Sequence, residues 1–518
     1  MKLFGITNSS FVNLKQSMES KESVTKNIVR YSSSKVYQQI LSLLTAFIRP
    51  KLLTPELYGL WNILNIIPTY ASYSNLGTYD IMRYVIPYHE EKKEHHKSIE
   101  IRDSVFYGTL FLNLFIVAGL IIFAFVRNFE LHVQVGLIAM ACVVMISWYY
   151  ENSIVSLKSY QKFRLITSTF YLKATITFVL TVVLIYFYKI YGAYLAFLLS
   201  FGFIAFYLKI KYPPSPPYAK FKYGIFVDLV IKGFPIMLYN FTAILINTSD
   251  RIIISYFLGT EQLGYYGIAS MVLGFIIEIP GTAREVIEPK MMQDIYKISM
   301  QEHINEYFIK PMFHTAYLMP FLIGAVFFTL PVAVPLILPR YINGILSAQI
   351  VVFGSYFVAM SYTARGVIVA YQWQLRALII MFLALLTNVA VSLFFIKTGL
   401  GIKGAAIGSS FSFCVLFTGL VLFVKILSNN SIQNWGKNIL GLLYPFLIMG
   451  ASIALLEYTS RSIQLDDYLC VYFNAYLAAI IKLFLYYLIM IFVIHRAQSK
   501  YPFLKIFNLN KLRRKKQS

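Results

Sequence analysis

The sequence predicts an all-α polytopic membrane protein of about 14 transmembrane helices, laid out as two six-helix lobes plus two C-terminal helices. Three observations carry that expectation. Apolar runs of roughly 20 residues, the length that crosses a bilayer as a helix, recur along the whole chain. Of the 518 residues, 58% are hydrophobic and 13% charged, and the mean hydropathy is +0.64; a soluble domain carries roughly a quarter charged residues. The proline knot Pro213-Pro214-Ser215-Pro216-Pro217 divides the runs into two groups with similar openings.

Residues 1–29 form a polar segment expected in the cytoplasm. It carries Lys15, Lys21 and Lys26 and no apolar core before a small-residue cleavage site, so the first span is expected to insert uncleaved. The first lobe, 30–210, holds spans at 30–48, 58–79, 104–126, 131–157, 164–187 and 190–210; Ser, Asn, Gln and Tyr dilute the first two. Residues 211–223 are a Pro-rich cytoplasmic linker, and proline favours a stiff, extended connector. The second lobe, 224–427, holds spans at 224–249, 263–287, 311–338, 347–371, 375–397 and 402–427. Two extra spans, 436–458 and 470–494, occupy 428–494. The basic tail, 495–518, ends in Lys511-Leu512-Arg513-Arg514-Lys515-Lys516, which suits anionic headgroups.

The net charge of +23 reads first as a topology signal. With the N-terminus inside, about 32 of the 46 Lys+Arg fall on the cytoplasmic side and about 9 outside. Both termini are therefore expected in the cytoplasm, and the chain in the cytoplasmic (inner) membrane. The basic residues are scattered over many short loops, so no nucleic-acid partner is expected. Cys142, Cys414 and Cys470 sit in or beside apolar spans without CxxC spacing and read as small buried hydrophobes.

No cofactor or metal is expected. Gly399-Leu400-Gly401-Ile402-Lys403-Gly404 matches GxGxxG, but no βαβ unit surrounds it, and it reads as a loop-to-helix entry. His89-Glu90-Glu91-Lys92-Lys93-Glu94-His95-His96 has metal-type ligands without a metal-site spacing and reads as a solvated charged loop. Asp466-Asp467 lies in a loop too short to build a water-excluding site, so no catalytic residue is assigned and no enzyme is expected.

The two lobes echo each other. The first span exits through Leu52-Leu53-Thr54-Pro55-Glu56-Leu57-Tyr58-Gly59, the seventh through Phe257-Leu258-Gly259-Thr260-Glu261-Gln262-Leu263-Gly264. The sixth opens with Tyr191-Gly192-Ala193, the twelfth with Lys403-Gly404-Ala405. Both pairs recur at an offset of about two hundred residues, which is the signature of an internal repeat. The paired spans run in the same membrane direction, so the lobes are expected to be parallel repeats, the plan of a transporter with its substrate site at the repeat interface. Gly404 and Gly408 form a GxxxG pair and Gly192 with Ala196 a small-xxx-small counterpart, both suited to close helix approach.

The run Asn247-Thr248-Ser249-Asp250-Arg251-Ile252-Ile253-Ile254-Ser255-Tyr256-Phe257-Leu258-Gly259, followed by Leu263-Gly264-Tyr265-Tyr266, resembles the seventh-to-eighth span signature of the polysaccharide exporters. These are the O-antigen and teichoic-acid type flippases of the multidrug/oligosaccharidyl-lipid/polysaccharide superfamily. Arg49-Pro50-Lys51-Leu52-Leu53-Thr54-Pro55-Glu56-Leu57-Tyr58-Gly59 is similar to their first loop. The resemblance covers the whole span pattern. It implies a V-shaped helical transporter that moves undecaprenyl-pyrophosphate-linked glycan from the cytoplasmic to the outer leaflet, with glycan polymerase and chain-length proteins as partners.

Charged residues inside spans are costly and mark pathways. Here they are Lys35, Glu151, Lys173, Lys232, Glu278, Arg365 and Lys482, with Asp228, Asp250, Arg251 and Arg284 nearer span ends. Lys35, Lys232 and Arg365 lie roughly 7 to 10 Å from the cytoplasmic end of their spans, and Lys173 roughly 13 Å. Lys35, Lys173, Lys232 and Arg365 are the candidate substrate-binding cations, since ammonium and guanidinium groups suit pyrophosphate. Glu151, Asp250, Arg251 and Glu278 are the gate or coupling candidates. The bland reading of each is snorkelling to headgroups or a structural ion pair. Tyr37, Tyr70, Tyr73, Tyr239 and Tyr362 are the candidates for stacking on sugar faces. Besides the lipid-linked glycan flippase, two readings stay open: a cation-coupled multidrug exporter of the same fold, which needs an acid in the first lobe, and a membrane-embedded glycan polymerase or acyltransferase.

Overall fold

The computed structural model describes residues 21–214, 216, 218, 220–428, 435–462 and 473–501. The basic run 511–516, Asp466-Asp467 and Cys470 lie outside the described residues. Every regular element among the described residues is helical. Nine stretches of them are long and apolar enough to cross a membrane, and the chain is a multi-pass membrane protein. Four of these are interrupted by non-helical dihedrals: Phe163–Lys211 at Lys189, Tyr223–Asp294 at Gly259, Pro339–Ala370 at Tyr341, and Gln374–Leu427 at Gly399 and Gly401. The expected spans 30–48 and 58–79 fall in helices outside the nine.

The chain divides into two compact units, residues 1–241 and 242–518, at a point within the helix Tyr223–Asp294. In the first unit the expected span 58–79 is not one helix. It runs as Pro55–Leu64, Ile66–Ala71 and a 3-10 turn Ser72–Asn75, and a new helix Thr78–Glu91 then begins. The cause is local. Asn75 Nδ2 donates to the Ser72 carbonyl at 2.5 Å, and Gly77 N donates to Asn75 Oδ1 at 2.8 Å. Short polar side chains thus offer the backbone an alternative to the helical ladder. Gly77 also has φ 82° and lies against the backbone of Gly233, whose carbonyl oxygen would be 2.0 Å from a Cβ there. Only glycine satisfies both demands.

The linker is not a free strut. Arg102 and Asp103 pair at 2.7 Å, both almost fully buried. Arg102 Nη2 donates to the Pro216 carbonyl at 2.8 Å, and its guanidinium lies 4.8 Å from the Tyr218 ring. Phe106 stacks on Tyr218 at 3.8 Å, and Lys222 forms an ion pair with Glu100. The strap is thereby docked along the start of helix His95–Val126. Burial there pushes the Tyr218 phenol well above its ordinary range. In the adjoining charged loop His89 pairs with Glu94 at 2.6 Å and His95 with Glu90 at 2.7 Å. The His89 contact, then the Lys97 contact, hold the Glu94 carboxyl below the usual carboxylate range.

The second unit repeats local devices of the first. Lys189 has φ 51° and ψ −124°, and Gly401 has φ 54° and ψ −133°. Each stands three residues before its echo glycine. A Cβ on Gly192 would be 1.9 Å from the Leu184 carbonyl oxygen, and one on Gly404 would be 2.8 Å from the Phe395 carbonyl carbon. In both hairpins the glycine admits the backbone of the preceding helix. The structure adds a third pair. Helix Leu131–Ser159 ends in Tyr160-Gln161 and helix Ile345–Ala370 in Tyr371-Gln372, with left-handed φ of 56° and 59° at the glutamines. Lys162 N donates to the Leu157 carbonyl and Trp373 N to the Ile368 carbonyl, both at 2.9 Å, closing the same Schellman cap.

The second unit also carries helices Trp435–Ser462 and Phe473–Lys500. They dock on helix Lys310–Ile337. Tyr486 donates to the Pro320 carbonyl at 2.8 Å and fills the space beside Gly324, and Tyr317 donates to the Gly441 carbonyl at 3.2 Å. Cys142 corrects one expectation: it lies on an exposed face, while Cys414 is half-buried and both are free.

Candidate functional site

The first unit gathers three of the expected charges. Helix Lys21–Leu52 packs along the first half of Phe163–Lys211, where Tyr171 donates to Ser33 Oγ at 2.9 Å and Tyr37 shares a hydrogen bond of 2.9 Å with Thr175. On this seam the Lys35 ammonium lies 5.3 Å from the Phe170 ring. Lys173 lies between two aromatic faces, 3.9 Å from Tyr150 and 4.1 Å from Phe201. Such cation–π contacts replace part of an ammonium's hydration without adding charge. Glu151 directly follows Tyr150, one of the two rings that the Lys173 ammonium faces.

Glu151 opens on a small polar cavity lined among others by Ser72, Ser74, Asn75, Tyr79 and Asn113. The broken second span therefore has a role. Its non-helical turn turns hydroxyl and amide groups toward the carboxylate, and Asn113 Nδ2 donates to Ser74 Oγ at 2.7 Å to hold that wall. Arg83, half-exposed and 3.7 Å from Asp80, lies on the same helix and was not singled out from the sequence. The amphipathic spacing of Thr78–Glu91 is the signal that could have found it. Lys232 stands apart from this group, in an ion pair with Asp228 at 2.6 Å. Tyr70 and Tyr73 both pack on Phe241, at 5.5 and 5.3 Å.

The second unit holds the remaining candidates. The Arg365 guanidinium lies 5.2 Å from the Tyr362 ring. Arg284 lines the same seam, its Nε 3.7 Å from where a Cβ on Gly366 would be, and it pairs with Glu288 at 3.5 Å. Glu278 is on an exposed helix face. Asp250 is not at a helix end: the helix continues to the break at Gly259. The Asp250 carboxylate is buried and accepts from Tyr266 Oη at 2.5 Å, Ser409 Oγ at 3.0 Å and the Arg251 N–H at 2.8 Å. Asn388 extends the network, donating to Ser409 at 3.4 Å and to the Ile246 carbonyl at 3.3 Å. Tyr239 is fully buried. Lys482 pairs with Glu457 at 3.4 Å, as a structural ion pair would.

These features define a multi-pass helical membrane protein. Residues 24–293 match the family described as polysaccharide biosynthesis protein, and the chain belongs to that family. Among solved structures it is similar to the lipid II flippase MurJ in an inward closed conformation, with 16% identity, a TM-score of 0.66 and coverage of 90% of this chain and 99% of that one. It is also similar to an inward-facing multidrug resistance MATE family transporter of the MOP superfamily, with 14% identity, a TM-score of 0.61 and coverage of 78% and 100%. At such identities the likeness is one of fold. No curated protein matched the chain.

Proposed function

We propose that the protein is a flippase that carries undecaprenyl-pyrophosphate-linked oligosaccharide from the cytoplasmic to the outer leaflet by alternating access, for surface polysaccharide synthesis. The observation that carries this reading is that Lys35, over the Phe170 ring, and Lys173, between Tyr150 and Phe201, lie within one helical seam of the first unit of a polysaccharide biosynthesis protein. Two ammonium groups brought together in hydrocarbon are costly unless an anion joins them, and a pyrophosphate headgroup is such an anion. The glycan follows through the polar route while the polyprenyl tail stays in lipid, because each unpaired polar group in hydrocarbon costs kilocalories. Arg365, beside the Tyr362 ring, is the second unit's candidate headgroup cation, and Asp250 with Arg251 serves coupling. The inner membrane is the site of action, both termini are cytoplasmic, and glycan polymerase and chain-length proteins take the product.

Complementation of a deletion strain tests this. Losing one charge-assisted contact removes about 1.5–3 kcal/mol, or roughly ten- to a hundred-fold in binding. Lys35→Glu, Lys173→Glu and Arg365→Glu should each abolish surface glycan at normal protein levels, with lipid-linked oligosaccharide accumulating on the cytoplasmic face. Normal surface glycan in all three sinks the reading. A multidrug exporter remains the second reading, because Glu151 supplies the acid in the first unit that such an exporter needs. Efflux of a cationic dye that depends on Glu151, with surface glycan unchanged in the deletion strain, would favour it.

A further inference from the structure

We propose that Glu151 anchors a binding site for a single small monovalent cation, of sodium's charge and size, at the break in the second span, with Asn113, Ser72 and Ser147 as its further oxygen ligands. The site is independent of the pyrophosphate reading above.

The polar cavity beside Glu151 has a volume of about 10 Å³, room for one body the size of a water molecule. Its walls have already spent most of their protons. The Ser72 hydroxyl donates to the Thr69 carbonyl at 2.8 Å, and the Ser147 hydroxyl to the Val144 carbonyl at 3.1 Å. Both oxygens therefore have only lone pairs left to offer. Asn113 Nδ2 donates to Ser74 Oγ at 2.7 Å and to the Thr109 carbonyl at 3.2 Å, which leaves Oδ1 as an acceptor. The indole donor of Trp148 is taken by Thr109 Oγ1 at 2.9 Å. Ser74 and Tyr79 keep one hydroxyl proton each. These two face acceptor oxygens on Glu151, Asn113, Ser72 and Ser147. Neither lysine of the seam lines the cavity, nor does any other cationic side chain among the described residues. Buried acceptors in excess of donors are costly, and a cation that takes oxygen ligands removes that cost.

The broken span adds to this. Helix Ile66–Ala71 and the turn Ser72–Asn75 end on the cavity wall, and a helix presents the negative pole of its dipole at its C-terminal end. Discontinuous membrane helices bind cations at such ends. Charge and size then set the class of ion. Donors that are all oxygen suit a hard cation. One carboxylate balances one positive charge, and a divalent ion would leave an uncompensated charge within a span. A cavity of one-water volume admits the ion only without its hydration shell, which the oxygens replace. The ligands come from three elements: Ser72 from the broken second span, Asn113 from helix His95–Val126, and Ser147 and Glu151 from helix Leu131–Ser159. The unfolded chain does not gather them, so binding stabilises the folded unit.

Thermal unfolding of the purified full-length protein in detergent tests this, with sodium chloride compared against choline chloride at equal concentration. Sodium should raise the melting temperature by several degrees, saturably, and should shift the emission of Trp148 over the same concentration range. Glu151→Gln should lose both responses. Ser147→Ala should need several-fold more sodium for the same shift, and Trp148→Phe should keep the melting response without the emission change. Equal wild-type melting temperatures in the two salts overturn the site, as does a sodium shift that survives in Glu151→Gln. Should Glu151→Gln fail to fold, the Ser147→Ala titration decides, and a sodium midpoint equal to that of wild type overturns the site.

Discussion

Asp250 shows what a single residue can and cannot reveal from sequence. Its type and rarity in an apolar run marked it as consequential. Its partners were not legible, because Tyr266, Asn388 and Ser409 come from other helices and each reads alone as an ordinary polar side chain. The same holds for Lys173, whose depth was legible but whose aromatic enclosure by Tyr150 and Phe201 was not. The Asp250 network makes a stability prediction. Asp250→Ala removes the acceptor for the Tyr266 and Ser409 hydroxyls. Stranding buried donors costs about 1–3 kcal/mol each, so the variant should be about 2–5 kcal/mol less stable in detergent. Asp250→Asn keeps an acceptor oxygen and should lose less than half of that. Equal unfolding of Asp250→Ala and wild type would show that the network bears no load in the fold.

Among elements, the helical hairpins carry the clearest test. Lys189 and Gly401 adopt nearly the same dihedrals, yet one has a side chain. A non-glycine residue held in such a region costs about 1–3 kcal/mol, and the extra freedom of an unfolded glycine costs about 0.5–1 kcal/mol. Strain wins, so Lys189→Gly should stabilise the protein by about 1 kcal/mol, read by thermal unfolding. A Cβ on Gly401 would meet nothing within 4 Å, so the dihedral alone decides the outcome there. Gly401→Ala should accordingly destabilise by about 1–2 kcal/mol; stability unchanged in both variants would refute the strain. The docked linker gives a third prediction. Arg102→Ala removes the hydrogen bond to Pro216 and the stack on Tyr218. The strap should loosen, and limited trypsin should cut after Lys220 or Lys222 several times faster than in wild type. An unchanged cleavage rate would mean that Arg102 does not hold the strap.

For the whole molecule, composition and periodicity were enough for an all-α, multi-pass plan, because apolar length is a one-dimensional property. Boundaries were less legible wherever short polar side chains reclaimed the backbone, as at Ser72–Asn75, or where a helix ran on through charged residues, as through Asp250-Arg251 to Gly259. The C-terminal pair of helices behaves as part of the second unit, and this too can be tested. Ending the chain at Ser428 would strip the acceptor of Tyr317 and the donor to Pro320, and would empty the space beside Gly324. Each lost buried hydrogen bond is worth about 1 kcal/mol, before the much larger loss of packing. The truncated protein should fail to accumulate in membranes, as judged by immunoblot; a well-expressed, monodisperse truncation would contradict this.

The twin caps at Gln161 and Gln372 bear on ancestry. Almost every side chain between them and the echo glycines differs, yet the left-handed residue, the two closing hydrogen bonds and the position of the next break persist in both units. A duplicated gene can drift in what its helices display while keeping where they stop, since a stop is written in backbone dihedrals that few residues satisfy. Punctuation of this kind should therefore outlast vocabulary in distant kin of this chain, and a search for Tyr-Gln caps and post-turn glycines at matched spacing should find half-repeats that residue-by-residue comparison passes over.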